Sequence, residues 1–266
     1  MVGLKTKNLS LQPADAPVQI EEVSGVTRVH VPAGCRASLI DQTESRLEVT
    51  VADGAQLSYY KLVNETPLAI HQSFLEVQVQ KQASFQSNVF LFGGAQIRST
   101  IHVRMDGEGA ECALNGLYVG SGSQIIEMHT LIDHIKPHGT SREFYKGILD
   151  DKARGLFDGL IIVQKEAQKT DSAQTNKNLL LSTEARANSN PELKIFANDV
   201  KCKHGSTVGQ INANSIFYLR SRGVPEAEAR QLLIYAFASE MIEPVVIPEF
   251  RETLFQCLNS AISTKK

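Results

Sequence analysis

From about residue 18 to 216 the chain alternates apolar and polar positions in short runs. Val26-Thr27-Arg28-Val29-His30-Val31, Phe74-Leu75-Glu76-Val77-Gln78-Val79 and the run from Ile97 to Val103 put apolar or β-branched side chains at alternate positions, the period of half-buried strands. Helical periodicity is absent from this stretch. Small-residue corners precede the runs at Ala33-Gly34-Cys35, Asp53-Gly54-Ala55, Gly93-Gly94-Ala95 and Glu108-Gly109-Ala110, where glycine supplies the backbone freedom of a tight turn. Two later runs, Asn115-Gly116-Leu117-Tyr118-Val119 and Asp158-Gly159-Leu160-Ile161-Ile162-Val163, resemble each other, yet the corners are unevenly spaced. That pattern fits an irregular solenoid or a sandwich better than a strict repeat. Hairpin dipeptides do not recur at regular intervals, so a mainly β fold with a β-solenoid core is the expected architecture.

The pattern changes after residue 216. In Ser221-Arg222-Gly223-Val224-Pro225-Glu226 glycine suits the end of one helix, and proline followed by acidic residues suits the first turn of the next. Leu232, Leu233, Ala236, Phe237 and Met241 then share one side, Pro244 and Pro248 interrupt, and Phe250, Leu254, Leu258 and Ile262 recur four apart. The predicted division is a β core over 1–216 and a short helical appendage over 217–266. Such a stripe usually packs on its own core. Two short helices at a chain end have little core of their own to cover, so partner docking through Leu233, Phe237 and Met241 is the sharper expectation.

Composition narrows the function. Of 266 residues, 27 are Lys or Arg and 29 Asp or Glu, a net charge of −2, which gives no reason to expect a nucleic acid as main partner. With 42% apolar and 21% charged residues the chain can bury a sizeable core. No run approaches the roughly 20 apolar residues of a membrane span, and the opening residues lack a secretory apolar region; a cytoplasmic protein without a membrane partner is expected. Cys35, Cys112, Cys202 and Cys257 are far apart with no C-x-x-C pair, and read as reduced thiols. P-loop, nucleophile-elbow and H-E-x-x-H signatures are missing, and Gly120-Ser121-Gly122-Ser123 leads into another strand-like run, so it reads as a corner rather than a phosphate loop. No Trp, 6% aromatic residues and no conspicuous acidic cluster disfavour a carbohydrate enzyme. The chain is not expected to be an enzyme.

Two polar clusters remain. In His129-Thr130-Leu131-Ile132-Asp133-His134-Ile135-Lys136-Pro137-His138 an extended chain puts His134 and His138 on one face and His129 on the other, so the imidazoles do not converge. In Asn198-Asp199-Val200-Lys201-Cys202-Lys203-His204-Gly205 Cys202 and His204 share one face of a strand, with Lys201 and Lys203 opposite. The neighbouring lysines are expected to lower the thiol pKa. One thiol and one imidazole do not complete an iron or iron–sulfur site, which usually takes four protein ligands; a second chain would have to supply the rest.

Phe196-Ala197-Asn198-Asp199-Val200-Lys201-Cys202-Lys203-His204-Gly205-Ser206-Thr207-Val208-Gly209 and Phe217-Tyr218-Leu219-Arg220-Ser221-Arg222-Gly223 closely resemble the C-terminal signature of the SufB/SufD family of iron–sulfur cluster assembly proteins, in its SufD branch. His134-Ile135-Lys136-Pro137-His138, Tyr145-Lys146-Gly147-Ile148-Leu149, Ala153-Arg154-Gly155 and Gln168-Lys169-Thr170-Asp171 support it. The resemblance implies a right-handed parallel β-helix, a pseudo-symmetric heterodimer with SufB, and docking of the ATPase SufC on the C-terminal helices. It implies that His204 faces SufB at the joint and shares a nascent, transient cluster with a partner-chain cysteine, Cys202 lying beside it, and that this chain holds no permanent cofactor. Most of the family begins with a helical N-terminal domain, whereas strand-like sequence starts almost at once here. The alternative expectation is an interaction module or homodimer without cluster chemistry.

Overall fold

The computed structural model describes residues 9–12, 17–44 and 46–263. Its strands in chain order are β1 (Leu9–Gln12), β2 (Gln19–Val23), β3 (Val26–Val31), β4 (Arg36–Asp41), β5 (Arg46–Val51), β6 (Gln56–Val63), β7 (Ile70–Val79) and β8 (Ser84–Leu91). They continue with β9 (Gln96–Met105), β10 (Glu111–Gly120), β11 (Ile125–His134), β12 (Thr140–Leu149), β13 (Arg154–Val163), β14 (Asp171–Leu180), β15 (Arg186–Ile195) and β16 (Lys201–Gln210). Three helices follow, α1 (Ala213–Ser221), α2 (Glu226–Ile242) and α3 (Pro248–Ser263). The helices thus begin at Ala213, ahead of the composition change at residue 216, because the Asn212 side chain caps α1 by accepting from the backbone N–H groups of Asn214 and Ser215.

Even-numbered strands stack in one sheet, β4-β6-β8-β10-β12-β14-β16, and odd-numbered strands in the other, β15-β13-β11-β9-β7-β5-β3. Within these runs every pairing is parallel; β1 and β2 join the first turn antiparallel, on β4 and β3. The fold is a β-solenoid. Its turns differ in length: Arg36 pairs Gln56, but Glu111 pairs Thr140 and Asp171 pairs Lys201, so a first turn of 20 residues gives way to turns of 29 and 30. This is the origin of the uneven corners. Corners repeat one device, a left-handed residue such as Gly54 at φ 68°, whose N–H donates to the next turn at Lys81 O, 2.9 Å away.

Inward positions fill the solenoid with one apolar cluster that includes Leu39, Leu57, Phe85, Val103, Leu114 and Phe157. A second cluster lies outside it. The later halves of β6, β8, β10 and β12 are buried on both faces, because Tyr60, Phe90, Leu117 and Ile148 face outward under Ile234, Met241, Phe250, Leu254 and Leu258 of α2 and α3. The helices therefore lie on the even-numbered sheet. Lys146 pins them there, its Nζ donating to Phe237 O at 2.8 Å and pairing with Glu240. The two similar glycine runs are not equivalent turns, since Gly116 sits in β10 and Gly159 in β13, on opposite sheets. Among the described residues no helix is long and apolar enough to cross a membrane.

Candidate functional site

The last turn is left open. Among the described residues β16 pairs only with β14, and β15 only with β13. Each edge is ten residues long. Backbone parity makes the two edges different. Lys201 N–H donates to Thr170 O at 2.8 Å, so odd-numbered residues of β16 bond β14 and the N–H groups of Cys202, His204, Ser206 and Val208 point to the free edge. On β15, Arg186 N–H donates to Ala153 O and Phe196 N–H to Val163 O, so the odd-numbered residues face outward. Pro191 is among them, and a proline without an N–H blocks that edge at its middle.

The corner ahead of β16 is firmly built. Gln168 Oε1 accepts from Asp199 N–H at 3.0 Å, Lys169 Nζ pairs with the Asp199 carboxylate, and Lys169 N–H donates to Asp199 O at 2.6 Å. Cys202 and His204 follow on the inward-facing side, in register with Ser172 and Gln174. With no further turn above them, Cys202 is only half-buried and His204 is exposed at the solenoid's mouth. Lys201 and Lys203 take the opposite face. Their expected effect on Cys202 does not appear: burial pushes the thiol up, a backbone contact from Ser172 offsets part of this, and Asp171 adds to the rise. The lysines are exposed on the far side of the strand, where solvent screens them.

The three histidines of the other cluster do not meet, and His138 is not on the strand. It occupies the corner beyond His134 at φ 63°, its N–H donating to Gln168 O. His134 is fully buried inside, with Nε2 2.9 Å from Ser141 Oγ, which is 2.7 Å from Ser172 Oγ. Burial depresses its pKa to about 4. His129 lies on the outer face between Glu127 and Asp158. At the far end of the solenoid Glu44, Glu65 and His71 bring ligand atoms within 4.8 Å of one another, and His71 is engaged with Glu65 at 2.7 Å.

Behind His204 the interior turns polar. Glu143 of β12 is 2% exposed and accepts from Gln174 Nε2 at 2.6 Å. Burial raises its pKa to about 7, against the smaller opposing effects of the nearby Thr130 hydroxyl and the Gln174 amide. A Cβ at Gly159 would strike Gln174 Nε2, so the glycine makes room for the amide. None of these positions stands out in the sequence, because β14 reads Asp-Ser-Ala-Gln-Thr-Asn-Lys-Asn, a string that resembles a loop.

Of the residues expected to dock a partner, Met241 is 5% exposed and packs on the sheet, while Leu233 and Phe237 are partly covered. The stripe on α2 is rotated from the one read off the sequence: its buried line is Ala229, Ile234, Ala238, Met241 and Ile242, and Leu232 and Tyr235 face out. α1 buries no residue and exposes Phe217 and Tyr218.

These features define a parallel β-solenoid with a helical flank, whose last edge strand carries a thiol and an imidazole. The chain belongs to the SufB/SufD family: residues 6–237 match the SUF system FeS cluster assembly, SufBD core domain. It is 40% identical over 201 residues to the iron–sulfur cluster assembly protein SufD of Escherichia coli, covering 76% of this chain and 48% of that one. SufBD family proteins of Synechocystis and Mycobacterium tuberculosis are 32% and 35% identical over 80% and 78% of this chain, and 47% and 54% of theirs. The chain spans about half the length of these relatives.

Proposed function

We propose that this chain is a non-enzymatic subunit of an iron–sulfur assembly scaffold, joined to a SufB-type partner through the free edge of β16. The unblocked edge is the observation that carries the reading. An exposed ten-residue strand is a template for pairing with another chain, and β16 alone of the two terminal edges offers an unbroken row of N–H groups. Strand addition there sets His204 and Cys202 at the joint. The exposed apolar residues Ile195, Phe196 and Val208 would be covered by the same contact. His204 then shares the nascent cluster with a partner thiolate, the partner supplying the ligands this chain lacks; the cluster is cargo, held transiently. Cys202, with its raised pKa, serves as a protonated neighbour more readily than as the leading ligand.

The terminal helices are the docking surface for a SufC-type ATPase. Leu233 and Phe237 lie at the rim of their exposed side, Leu232 and Tyr235 on it, and Met241 beneath as support. Work done by the ATPase on α2 reaches the solenoid through Lys146 and the apolar contact under α2 and α3. Assembly of this kind belongs in the cytoplasm.

Ser206→Pro tests the edge. It deletes an outward N–H and spares the bonds to β14. The variant should stay folded and lose co-purification with the SufB partner; retained co-purification would overturn the joint. Self-association of the wild-type chain, lost in Ser206→Pro, with no capture of SufB would instead favour the homodimer without cluster chemistry.

A further inference from the structure

The inner files of the last turns are read directly from the register. One runs Cys112, Ser141, Ser172, Cys202; the next runs Leu114, Glu143, Gln174, His204; the third runs Gly116, Tyr145, Asn176, Ser206. Toward the closed end the first file continues into Phe85 and Leu57, while the second passes through Ser87 and Tyr59 and the third through Val89, Lys61 and Asp41; next to the mouth, polar residues occupy all three files. Several polar atoms there have partners: Ser141 with Ser172, Gln174 with Glu143, and Asn178 Nδ2 with Asn176 Oδ1 at 2.6 Å. Four others, His134 Nδ1, Glu143 Oε1, Tyr145 OH and Gln174 Oε1, are buried without one. Unsatisfied buried polar atoms are costly and rare. Others occur in earlier turns, at Ser87 and Asn88, but Gln174 Oε1 belongs to the register partner of the exposed His204 and calls for a role.

Resting on the reading of His204 given above, we propose that Gln174 and Glu143 are positioning residues for His204. Glu143 accepts from the Gln174 amide nitrogen, which fixes the amide's orientation and leaves Gln174 Oε1 as an unengaged acceptor. The next strand, β16, carries His204 at the register partner of Gln174. When the joint closes over His204, the Oε1 atom is the acceptor for one ring N–H, which selects the tautomer and leaves the other nitrogen unprotonated toward the joint. A partner of this kind behind a ligating imidazole sets ring orientation and ligand basicity. Gly159, which a Cβ would drive into Gln174 Nε2, preserves the space.

The test uses Gln174→Met, which keeps the volume and removes the acceptor, and the pair Glu143→Leu and Glu143→Gln. The full chain is labelled with 15N-histidine, and the His204 ring tautomer is read by NMR, alone and with SufB. Cluster formation is measured in the assembled complex under anaerobic iron and sulfide. Gln174→Met and Glu143→Leu should mix the tautomers and lower cluster formation about 10- to 100-fold, while Glu143→Gln, which can still accept from the amide, should restore both. An unchanged His204 tautomer in folded Gln174→Met overturns the proposal; if that variant does not fold, an unchanged tautomer in Glu143→Leu does so. His204→Ala separates the two claims: full cluster yield from it sinks the joint reading, whereas lost yield with unaffected Gln174→Met and Glu143→Leu leaves the joint standing and removes the positioning role.

Discussion

His134 on β11 and Glu143 on the next strand, β12, are both buried in the solenoid and titrate in opposite senses. Glu143 has a folded pKa of about 7 against 4.5 for the free side chain. The folded state therefore holds more protons than the unfolded one between those values, and stability falls as pH rises through that window. His134 has a folded pKa of about 4 against 6.5, so the unfolded state takes up the proton and stability falls as pH drops from 6.5 towards 4. Each shift corresponds to on the order of 3 kcal/mol. From about pH 4.5 to 6.5 the two slopes oppose and the wild-type curve should be nearly flat. Glu143→Gln should expose the acid-side loss alone and gain stability over wild type above pH 7, as read by urea unfolding across pH. An unchanged flat profile would mean that the carboxyl is not titrating inside the fold.

Among elements, the strands with apolar inward files were legible as strands, and the solenoid followed from their corners. β14 was not, because its inward residues are polar: Ser172 and Gln174 bond Ser141 and Glu143 of β12, and Asn176 and Asn178 bond each other. The last strand was legible through Cys202 and His204, while the polar file beneath them needed the register of one strand on the next. The pitch of a solenoid is not written in local periodicity. Helix placement was read in part: the stripe on α3, Phe250, Leu254 and Leu258, is the buried one, but α2 turns a different line inward, since Lys146 and the outward rings of the even-numbered sheet fix its rotation. Leu254→Ala should lower stability by about 2–5 kcal/mol, the usual cost of a truncated core leucine, measured by urea unfolding. Leu233→Asp, at the rim of the exposed side, should leave unfolding nearly unchanged and weaken capture of the SufC partner by tenfold or more, measured by surface-immobilised binding; equal capture would remove that face of α2 from the docking surface.

At the scale of the whole molecule, polarity follows the solenoid axis. The first turns carry antiparallel strands and bury one ion pair, Asp41 with Lys61, among Leu, Val and Phe; the last are open and lined with Ser, Gln and Asn, with Pro191 blocking one edge and no proline in the other. In the proposed joint, strand addition on β16 covers this polar mouth and encloses His204. The measurement closest to this claim is anaerobic iron–sulfide reconstitution of the complex of this chain with its SufB and SufC partners, comparing wild type with His204→Ala. The variant complex should assemble at wild-type size and yield at most a few per cent of the wild-type cluster absorbance. A fully assembled variant complex with wild-type cluster yield would contradict the claim.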